Sequence, residues 1–330
     1  MKSLHSKKCS VRNKMLVEFL SIVAFVFLVC ITACDRDKIY TEEQYKNVIY
    51  LLSGSGNVYT EGYTLNETEP VKYFSIGIGG SNPNTEEVIV TLEPDNVIMG
   101  QYNRNNFDDE DKYARLLPAS RYDISSYTIT IPAKPDEQYV KVPVKVRPLG
   151  LSPDTIYFIP LAIKSVTRYG VNPEKYNMLY RVTIENDYAQ QKVNTYYTKR
   201  GTQINPATPH IENVLSGVKL VQPLTKNTVR MFVGNWDNQE MTVENIDKYA
   251  MVVQVNEDNT LDITPYATDN LEVERLDDLE NYNFYYPKET QGDRDYRVFY
   301  LRYRYRILDS DGTYSAWMEA RESLTRVEED

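Results

Sequence analysis

The feature that most constrains the fold is a segment in which valine occupies every second position. Between Val140 and Val146 the valines alternate with lysine and proline, and Arg147 continues the polar series. Successive side chains of a β-strand point to opposite faces, so this pattern predicts a strand with buried valines and solvated charges. Pro143 cannot donate a hydrogen bond to a neighbouring strand, which predicts a position at a sheet edge or a bulge.

Short apolar runs separated by turn residues continue along the chain. The strand candidates are residues 47–52, 72–78, 87–92, 127–131, 139–146, 156–166 and 179–184 in the first half, and 218–221, 228–233, 250–255, 261–264, 271–275, 298–308 and 314–319 in the second. A short helix is predicted at residues 243–249. The whole pattern predicts an all-β chain.

The strand candidates fall into two groups, which predicts two domains. Residues 47–186 contain seven candidates without a long helical period, which is typical of an immunoglobulin-like β-sandwich. Residues 187–209 are polar and include two prolines, so they are assigned to a linker, although Tyr196 and Tyr197 also fit the start of a strand. Residues 210–330 predict a second all-β domain, either a β-sandwich or a small β-barrel.

The N-terminal segment has the order of a secretory signal peptide: basic residues, an uncharged apolar run from Phe19 to Ala33, and then charge. A helix of this length spans about 22 Å, less than the ~30 Å of a bilayer core. The small residues that end the run, followed by Cys34, resemble the lipobox of bacterial lipoproteins. We therefore expect a signal peptide at 1–33, a lipid (palmitate) on Cys34 and a tether at 34–46. A plain secreted protein and an uncleaved anchor remain alternatives.

The net charge of the mature chain limits the classes of molecule that can bind to it. The whole chain has 37 basic and 47 acidic residues; residues 1–33 hold five of the former and one of the latter, which leaves 32 against 46 and a net charge of −14. Such a field repels nucleic acid and anionic headgroups. We expect no nucleic-acid partner, and contact with the membrane through the lipid anchor only.

Few residues suited to metal or nucleophilic chemistry remain after cleavage. Cys34 is the last of three cysteines, and His210 is the last of two histidines. A multi-histidine metal site or a Cys/His pair therefore cannot form, and no nucleophile-elbow sequence accompanies His210. Residues 108–111 and 309–312 are acidic and have the oxygens that calcium prefers, but Ala320 stands where an EF-hand has glutamate. No metal or cofactor is predicted.

Aromatic residues in polar loops are candidate ligand contacts, of the kind that a sugar would use. A sugar site without metal needs flat rings against the pyranose C–H faces and a few polar groups for the hydroxyls. Trp236 lies in a polar stretch between Asn235 and Asp237, where it has no evident core to join, although it also fits a cap on the end of the domain. A second candidate group is Tyr282, Tyr285 and Tyr286. Trp317, within a strand candidate, is predicted to pack in the core.

The strand candidate at residues 298–308 carries three arginines, Arg302, Arg304 and Arg306, on one face. In an acidic protein they are expected to form cross-strand pairs, for example with Glu272 and Glu274. The alternative is a ladder that binds the anionic groups of uronic acids or sulfated sugars.

The chain resembles two-domain surface lipoproteins from the polysaccharide-utilisation loci of Bacteroidota. The first half resembles a domain of unknown function that also precedes the catalytic modules of some endo-β-N-acetylglucosaminidases. The second half resembles its companion C-terminal domain. The residues that carry the resemblance are 116–122, 127–132 and 157–163 in the first half, and 230–234, 300–305, Trp317, Glu322 and Leu324 in the second.

The resemblance implies an outer-membrane protein, facing the cell exterior, that helps a neighbouring transporter complex to capture a polysaccharide or oligosaccharide. We therefore expect a non-catalytic glycan-binding lipoprotein. A structural or adhesin-like lipoprotein that contacts other proteins is the alternative. A glycoside hydrolase is a distant third, because the D-x-x-D-x-D-x-E strand of the related glycosidases is missing from the sequence.

Overall fold

The computed structural model describes residues 45–134 and 137–328, which form two β domains. The expected signal peptide, Cys34 and most of the tether lie outside the described residues. Within 45–134 and 137–328, no helix has the length and the apolar character needed to cross a bilayer.

The N-terminal domain is a sandwich of two sheets. Its strands are β1 (Val48–Leu51), β2 (Val58–Thr64), β3 (Val71–Gly79), β4 (Val88–Pro94), β5 (Arg115–Leu116), β6 (Tyr122–Ile124), β7 (Thr128–Ile131), β8 (Tyr139–Val146), β9 (Tyr157–Val166), β10 (Gly170–Val171) and β11 (Asn177–Glu185). The first sheet has the order β10-β1-β3-β8-β6, and the second has the order β2-β11-β9-β4-β7 with β5 also pairing β9. One apolar core, which includes Phe74, Val90 and Val182, fills the space between them.

The alternating valines behave as predicted. Val142, Val144 and Val146 are buried. Strand β8 pairs with β3 along most of its length but with β6 only from Val144 to Val146. Pro143 therefore lies where the strand has a neighbour on one side only, which confirms the expected edge position.

One helix, α1 (Asn96–Asn106), was not predicted from the sequence. The side chain of Asp95 caps it by accepting hydrogen bonds from the backbone N–H groups of Val97 and Ile98, at 3.0 and 3.4 Å. Two of its residues, Ile98 and Met99, pack on the outer face of the second sheet against Phe158 and Leu179. With so few apolar residues, the helix has no sequence periodicity that would reveal it.

The C-terminal domain is a single nine-stranded sheet. Its strands are β12 (Thr195–Ile204), β13 (Glu212–Pro223), β14 (Thr228–Phe232), β15 (Ala250–Val255), β16 (Leu261–Pro265), β17 (Leu271–Arg275), β18 (Phe284–Gln291), β19 (Arg294–Ile307) and β20 (Met318–Val327). The sheet order is β16-β15-β14-β13-β12-β20-β19-β17, and β18 pairs β19. The short helix α2 (Val243–Tyr249) lies between β14 and β15, as the sequence predicts.

The sheet curls until its two ends meet, so the second domain is a barrel. A bridge joins Thr260 to Phe284, next to the starts of β16 and β18. The backbone N–H of Leu261 donates to Asn283 at 2.9 Å, and that of Tyr285 donates to Asn259 at 2.8 Å. These bonds close the ring, and they decide between the two architectures that the sequence left open. The prediction of an all-β chain with a sandwich followed by a second β domain is confirmed.

Strand β12 occupies much of the segment that the sequence assigns to a linker, 187–209, and that assignment is wrong for residues 195–204. The strand pairs β13 on one side and β20 on the other. Its inward residues Thr195, Tyr197 and Lys199 are buried, while alternate positions are exposed. Because its inward face carries a threonine and a lysine, the alternation does not stand out as apolar against polar.

The two domains are joined closely. The Asn186 side chain donates to the backbone oxygens of Thr225 and Thr228 at 2.7 and 3.1 Å. Arg230, almost fully buried, forms an ion pair with Asp154 of the N-terminal domain. Hydrogen bonds and an ion pair therefore hold the two domains together at their junction.

Candidate functional site

A cavity of about 540 Å³ opens between α2, the loop after β14, and the turn from β19 to β20. It contains one of the predicted aromatic residues, Trp236, and we call it the Trp236 cavity. Its lining is Gln203, Asn235, Trp236, Gln239, Lys248, Tyr249, Tyr305, Ile307, Asp309, Ser315, Ala316 and Met318.

The indole of Trp236 is held in place by two aromatic neighbours. It stacks on the ring of Tyr249, with 4.2 Å between ring centroids and 12° between planes. Tyr249 is itself buried against Phe232. Burial raises the pKa of Tyr305, and a hydrogen bond with Trp236 opposes that shift. The Tyr305 hydroxyl donates to the Gln203 side chain at 3.0 Å. The ring therefore stands in the cavity wall in a fixed orientation.

The loop that carries Trp236 is bound from inside the barrel. The ammonium of Lys199 donates to the carbonyl of Gly234 and to the Asn235 side chain, both at 3.0 Å, and forms an ion pair with Asp237. The Tyr303 hydroxyl accepts a hydrogen bond from the Gly234 N–H at 2.8 Å. One strand lysine and one strand tyrosine thus fix Gly234, Asn235 and Asp237, the loop residues on either side of Trp236.

Behind this loop lies a buried group of four charges, Lys199, Lys219, Asp237 and Glu322, which we call the charge quartet. Lys219 binds both oxygens of Glu322, at 2.8 and 2.9 Å, and lies 3.9 Å from Asp237. Lys219 and Glu322 are fully buried. The Tyr303 hydroxyl donates to Glu322 at 2.8 Å, and burial raises the pKa of Tyr303 well above its usual value. The two cations and two carboxylates of the charge quartet balance one another in formal charge.

Gly234 allows the loop to approach the wall so closely. Its φ is +51°, in the left-handed region. A Cβ at this position would lie 2.4 Å from the Tyr305 hydroxyl and 2.6 Å from the Gln203 side-chain oxygen. Glycine therefore satisfies a backbone and a steric requirement at once.

The two polar residues predicted beside Trp236, Asn235 and Asp237, point in different directions. Asn235 is exposed at the rim of the cavity beside Trp236. The carboxylate of Asp237 points the other way, into the charge quartet, and its side chain is 12% exposed. Asp237 therefore supports the loop and is not itself open to a sugar.

The second predicted group does not lie with the first. None of Tyr282, Tyr285 and Tyr286 lines the Trp236 cavity. Tyr285 and Tyr286 are in strand β18, so their prediction as loop residues is wrong, and Tyr285 is buried against Phe299. Tyr282 and Tyr286 are half-buried and pack edge-on against Tyr300, at 5.9 and 5.6 Å between centroids.

The arginine strand forms the predicted ion pairs, but Trp317 was misplaced. Arg304 pairs with Glu274, and Arg306 pairs with Glu272 at 2.7 Å, which confirms the cross-strand expectation. Trp317 lies on the same outer face, under the two guanidinium groups at 4.4 and 4.8 Å. The tryptophan therefore packs against the guanidinium groups on the outer face, and the prediction that it packs in the core is wrong.

The acidic runs are turns in the described structure. Asp109 caps a short 3-10 turn by accepting from the Asp111 N–H at 3.0 Å. The backbone oxygen of Asp309 accepts a hydrogen bond from the Gly312 N–H at 3.0 Å. Within residues 45–134 and 137–328, no group of three or more His, Cys, Asp or Glu side chains is arranged to hold a metal ion.

Sequence reasoning missed the charge quartet. A signal was present, because Lys219 shares its strand face with Val221, and Glu322 shares its face with Ala320 and Leu324. A charged residue in the apolar phase of a strand has to find a partner inside the fold. The partners come from different strands, so the sequence could have indicated a buried ion pair without naming it.

Several solved structures share this fold. A Bacteroides ovatus protein of unknown function has a TM-score of 0.61 at 16% identity, covering 86% of this chain and 95% of its own. A multidomain protein including DUF1735 from Bacteroides ovatus has a TM-score of 0.59 at 15% identity, and the match covers 84% of this chain and 94% of the other. An auxiliary nutrient-binding protein from Bacteroides thetaiotaomicron has a TM-score of 0.60 at 14% identity, with 83% and 92% covered. No curated protein matches the chain.

Family models match both halves of the chain. One, for an N-terminal domain, matches residues 45–170, and another, for a C-terminal domain, matches residues 176–325. The boundary between them, residues 171–175, lies just before β11, so the last strand of the sandwich falls within the C-terminal match. The chain therefore belongs to a family of two-domain Bacteroidota proteins in which this N-terminal sandwich precedes this C-terminal barrel.

Proposed function

We propose that this protein binds glycan without cleaving it, and that the Trp236 cavity holds the sugar. The observation that carries the proposal is the stacked pair of Trp236 and Tyr249 in a cavity with amide groups at its rim. A pre-oriented ring can receive the C–H face of a pyranose, and the Asn235 and Gln203 amides can pair with its hydroxyls. The volume lies within the range of about 300–1,000 Å³ usual for ligand pockets.

The groups around the cavity favour binding over hydrolysis. Most glycoside hydrolases need two carboxyl groups that flank the bond to be broken. Among the described lining residues Asp309 is the single carboxylate, and the nearby Asp237 is already engaged by Lys199. The structural neighbour described as an auxiliary nutrient-binding protein supports the same role.

We further propose that the protein works at the outer membrane, held by lipid on Cys34 and facing the cell exterior. This part of the proposal rests on the N-terminal sequence, because Cys34 lies outside the described residues. In this setting the protein would hold a polysaccharide near an outer-membrane transporter complex. Mass spectrometry of membrane-extracted protein tests the anchor, and unmodified Cys34 would contradict it.

Affinity electrophoresis tests the binding proposal. The purified full chain is run through native gels that contain one neutral polysaccharide each, such as galactomannan, xyloglucan, dextran or yeast mannan. We expect at least one polysaccharide to retard the wild type and Trp236→Ala to lose most of that retardation. Trp317→Ala, which removes an outer-face tryptophan, is the matched control and should run as the wild type does. Equal retardation of wild type and Trp236→Ala in every gel would exclude the Trp236 cavity as the site.

One surface favours the alternative role in protein interaction. On the outer face of β12 and β13, Tyr196, Val214 and Val218 are 51%, 68% and 56% exposed. A photo-cross-linking residue at position 218 that captures an envelope protein, while the same residue at exposed position 226 does not, would support this role.

A further inference from the structure

We propose that the N-terminal domain carries a second carbohydrate site, specific for neutral sugar units. The site is a cavity of about 360 Å³ between helix α1 and the start of strand β11, which we call the amide cavity. Its lining is Gly56, Asn57, Ile98, Gln101, Tyr102, Asn105, Asn106, Tyr176 and Asn177. It belongs to the other domain and shares no residue with the Trp236 cavity.

One wall of the amide cavity is a single face of α1. The lining residues of this helix recur at the three- and four-residue spacing that brings side chains together on one side of a helix. Ile98 anchors that face to the sheet. Gln101 and Asn105, further along the helix, are exposed. Neither side chain forms a hydrogen bond to another described residue. Their donors and acceptors are therefore available to a ligand.

The opposite wall is held rigid by a chain of side-chain hydrogen bonds. Asn57 donates to Asn177 at 2.9 Å, and Asn177 donates to Asp95 at 2.9 Å. Asn57 also donates to the backbone oxygen of Glu174 at 2.9 Å and adopts a positive φ of 57°. Asp95 is the residue that caps α1, so the same chain of bonds ties both walls together.

Two tyrosines supply the aromatic surface. Tyr102 is fixed edge-on against Phe158, with 4.8 Å between ring centroids. Tyr176, also in the cavity lining, is 43% exposed, and its side chain has neither a ring partner nor a hydrogen bond among the described residues. A free ring beside unpaired amides provides the two kinds of contact that a pyranose offers, an apolar C–H face and hydroxyl groups.

The lining also indicates the class of sugar. A quarter of the residues of this chain are charged, yet none of the residues that line the amide cavity is. Without a cation, the cavity has nothing to neutralise a carboxylate or a sulfate that leaves water. The predicted ligand is therefore a neutral hexose or pentose unit, free or within a polymer.

Side-chain amide NMR of the full chain tests the second site. The probes are maltose, cellobiose, mannobiose and lactose as neutral disaccharides, and digalacturonate as the charged one. We expect at least one neutral disaccharide to shift the NH₂ signals of Gln101 and Asn105 in a saturable way. Tyr176→Ala should weaken that affinity about five- to tenfold, as expected for the loss of one aromatic stacking partner.

Two controls separate the site from general effects. Tyr139→Ala removes a tyrosine that is 58% exposed elsewhere in the same domain and should leave the affinity unchanged. Gln101→Glu preserves the shape of the side chain but replaces an amide donor by a charge, and it should weaken neutral sugars. The indole signal of Trp236 in the same spectra reports the first site separately.

The outcomes decide each proposal by itself. Amide shifts without an indole shift support the second site and count against the Trp236 cavity, and the reverse result overturns the second site. The second site is also overturned if no neutral disaccharide moves the amide signals. A stronger response to digalacturonate, or an affinity that Tyr176→Ala leaves unchanged, overturns it as well.

Discussion

At the scale of single residues, the charge quartet determines where Trp236 stands. Lys199 binds Gly234, Asn235 and Asp237 from within the barrel, so the loop cannot shift without exposing or unpairing a buried cation. A buried ion pair is weak evidence for stability, but separating its partners leaves an uncompensated buried charge, which disfavours other positions of the loop. Here the position that it favours forms the wall of a cavity.

The quartet predicts a large effect of removing one partner. Lys219→Ala would leave Glu322 buried without its cation, and we expect a loss of about 3–5 kcal/mol in the free energy of unfolding. Combined replacement, Lys219→Met with Glu322→Leu, should recover part of this loss because no unpaired charge remains. Urea denaturation measures both, with Lys226→Ala, at an exposed position, as the control. A single variant as stable as the control would contradict the prediction.

Gly234 gives a second prediction at this scale. Gly234→Ala combines a left-handed backbone with a methyl group directed at Tyr305 and Gln203, and we expect a loss of about 1–3 kcal/mol and weaker glycan retardation. Gly292→Ala is the matched control, because its φ is +69° but nothing lies within 4 Å of the added Cβ. Equal losses in the two variants would show that the close packing of Gly234 adds nothing.

The sequence predicted part of the candidate site. Physical differences between the residues explain which were identified and which were missed. Trp236 was found because a large aromatic residue in a polar stretch is conspicuous. Tyr249, its stacking partner, looked like any other tyrosine at a helix end. Tyr285 was misread because the pattern before it resembles a loop, and only the pairing with β19 shows that it faces the core.

At the scale of secondary-structure elements, strand β19 organises the barrel. Its inward face provides Phe299, Leu301 and Tyr303 to the core, and its outer face carries the arginines. The arginine face was predicted, because period two is maintained over the strand. Helix α1 was not, because it packs through two or three residues while the rest of its surface is amide and solvent. A helix that is polar nearly all round has no apolar stripe to detect.

The pairs on β19 predict a pH effect. The hydrogen bond from Arg306 lowers the pKa of Glu272 below its ordinary value of 4.5. A carboxyl group whose pKa is lower in the folded state than in the unfolded state stabilises the fold at pH values above its unfolded-state pKa. This contribution is lost as the pH falls through the folded-state pKa. Wild type should therefore lose stability more steeply than Glu272→Gln between about pH 5 and about pH 3.

Urea midpoints across that range measure the difference. Glu257→Gln, in an exposed turn, is the control and should follow the wild type. Parallel curves for wild type and Glu272→Gln would show that the pair contributes nothing to the pH dependence.

At the scale of the whole molecule, the direct junction between the domains was the least predictable feature. The sequence indicated a sandwich and a second β domain, and turn residues located most strands. It indicated a linker where β12 forms, because an inward lysine and outward polar residues look like a connection. The contacts that replace the linker, Asn186 to Thr225 and Arg230 to Asp154, join residues far apart in sequence.

Arg230 provides the test of that junction. Its guanidinium lies over the ring of Tyr266 at 4.9 Å and pairs with Asp154, so Arg230→Ala removes contacts in both domains. We expect faster amide hydrogen exchange at Ser152, Asp154 and Thr155 and a lower free energy of unfolding. Arg200→Ala, at an exposed position of β12, should change neither. Unchanged exchange at these three amides in Arg230→Ala would show that the ion pair does not hold the loop.

The closure of the barrel has a practical consequence. Gln203, Trp236 and Tyr305 are scattered along the chain, yet they share one cavity wall because the ring of strands brings them together. The cavity is lost only when the barrel unfolds, so a ligand that binds in it raises the melting temperature of the entire domain. A label-free heat-denaturation screen of oligosaccharides can therefore identify the occupant before its binding is measured directly.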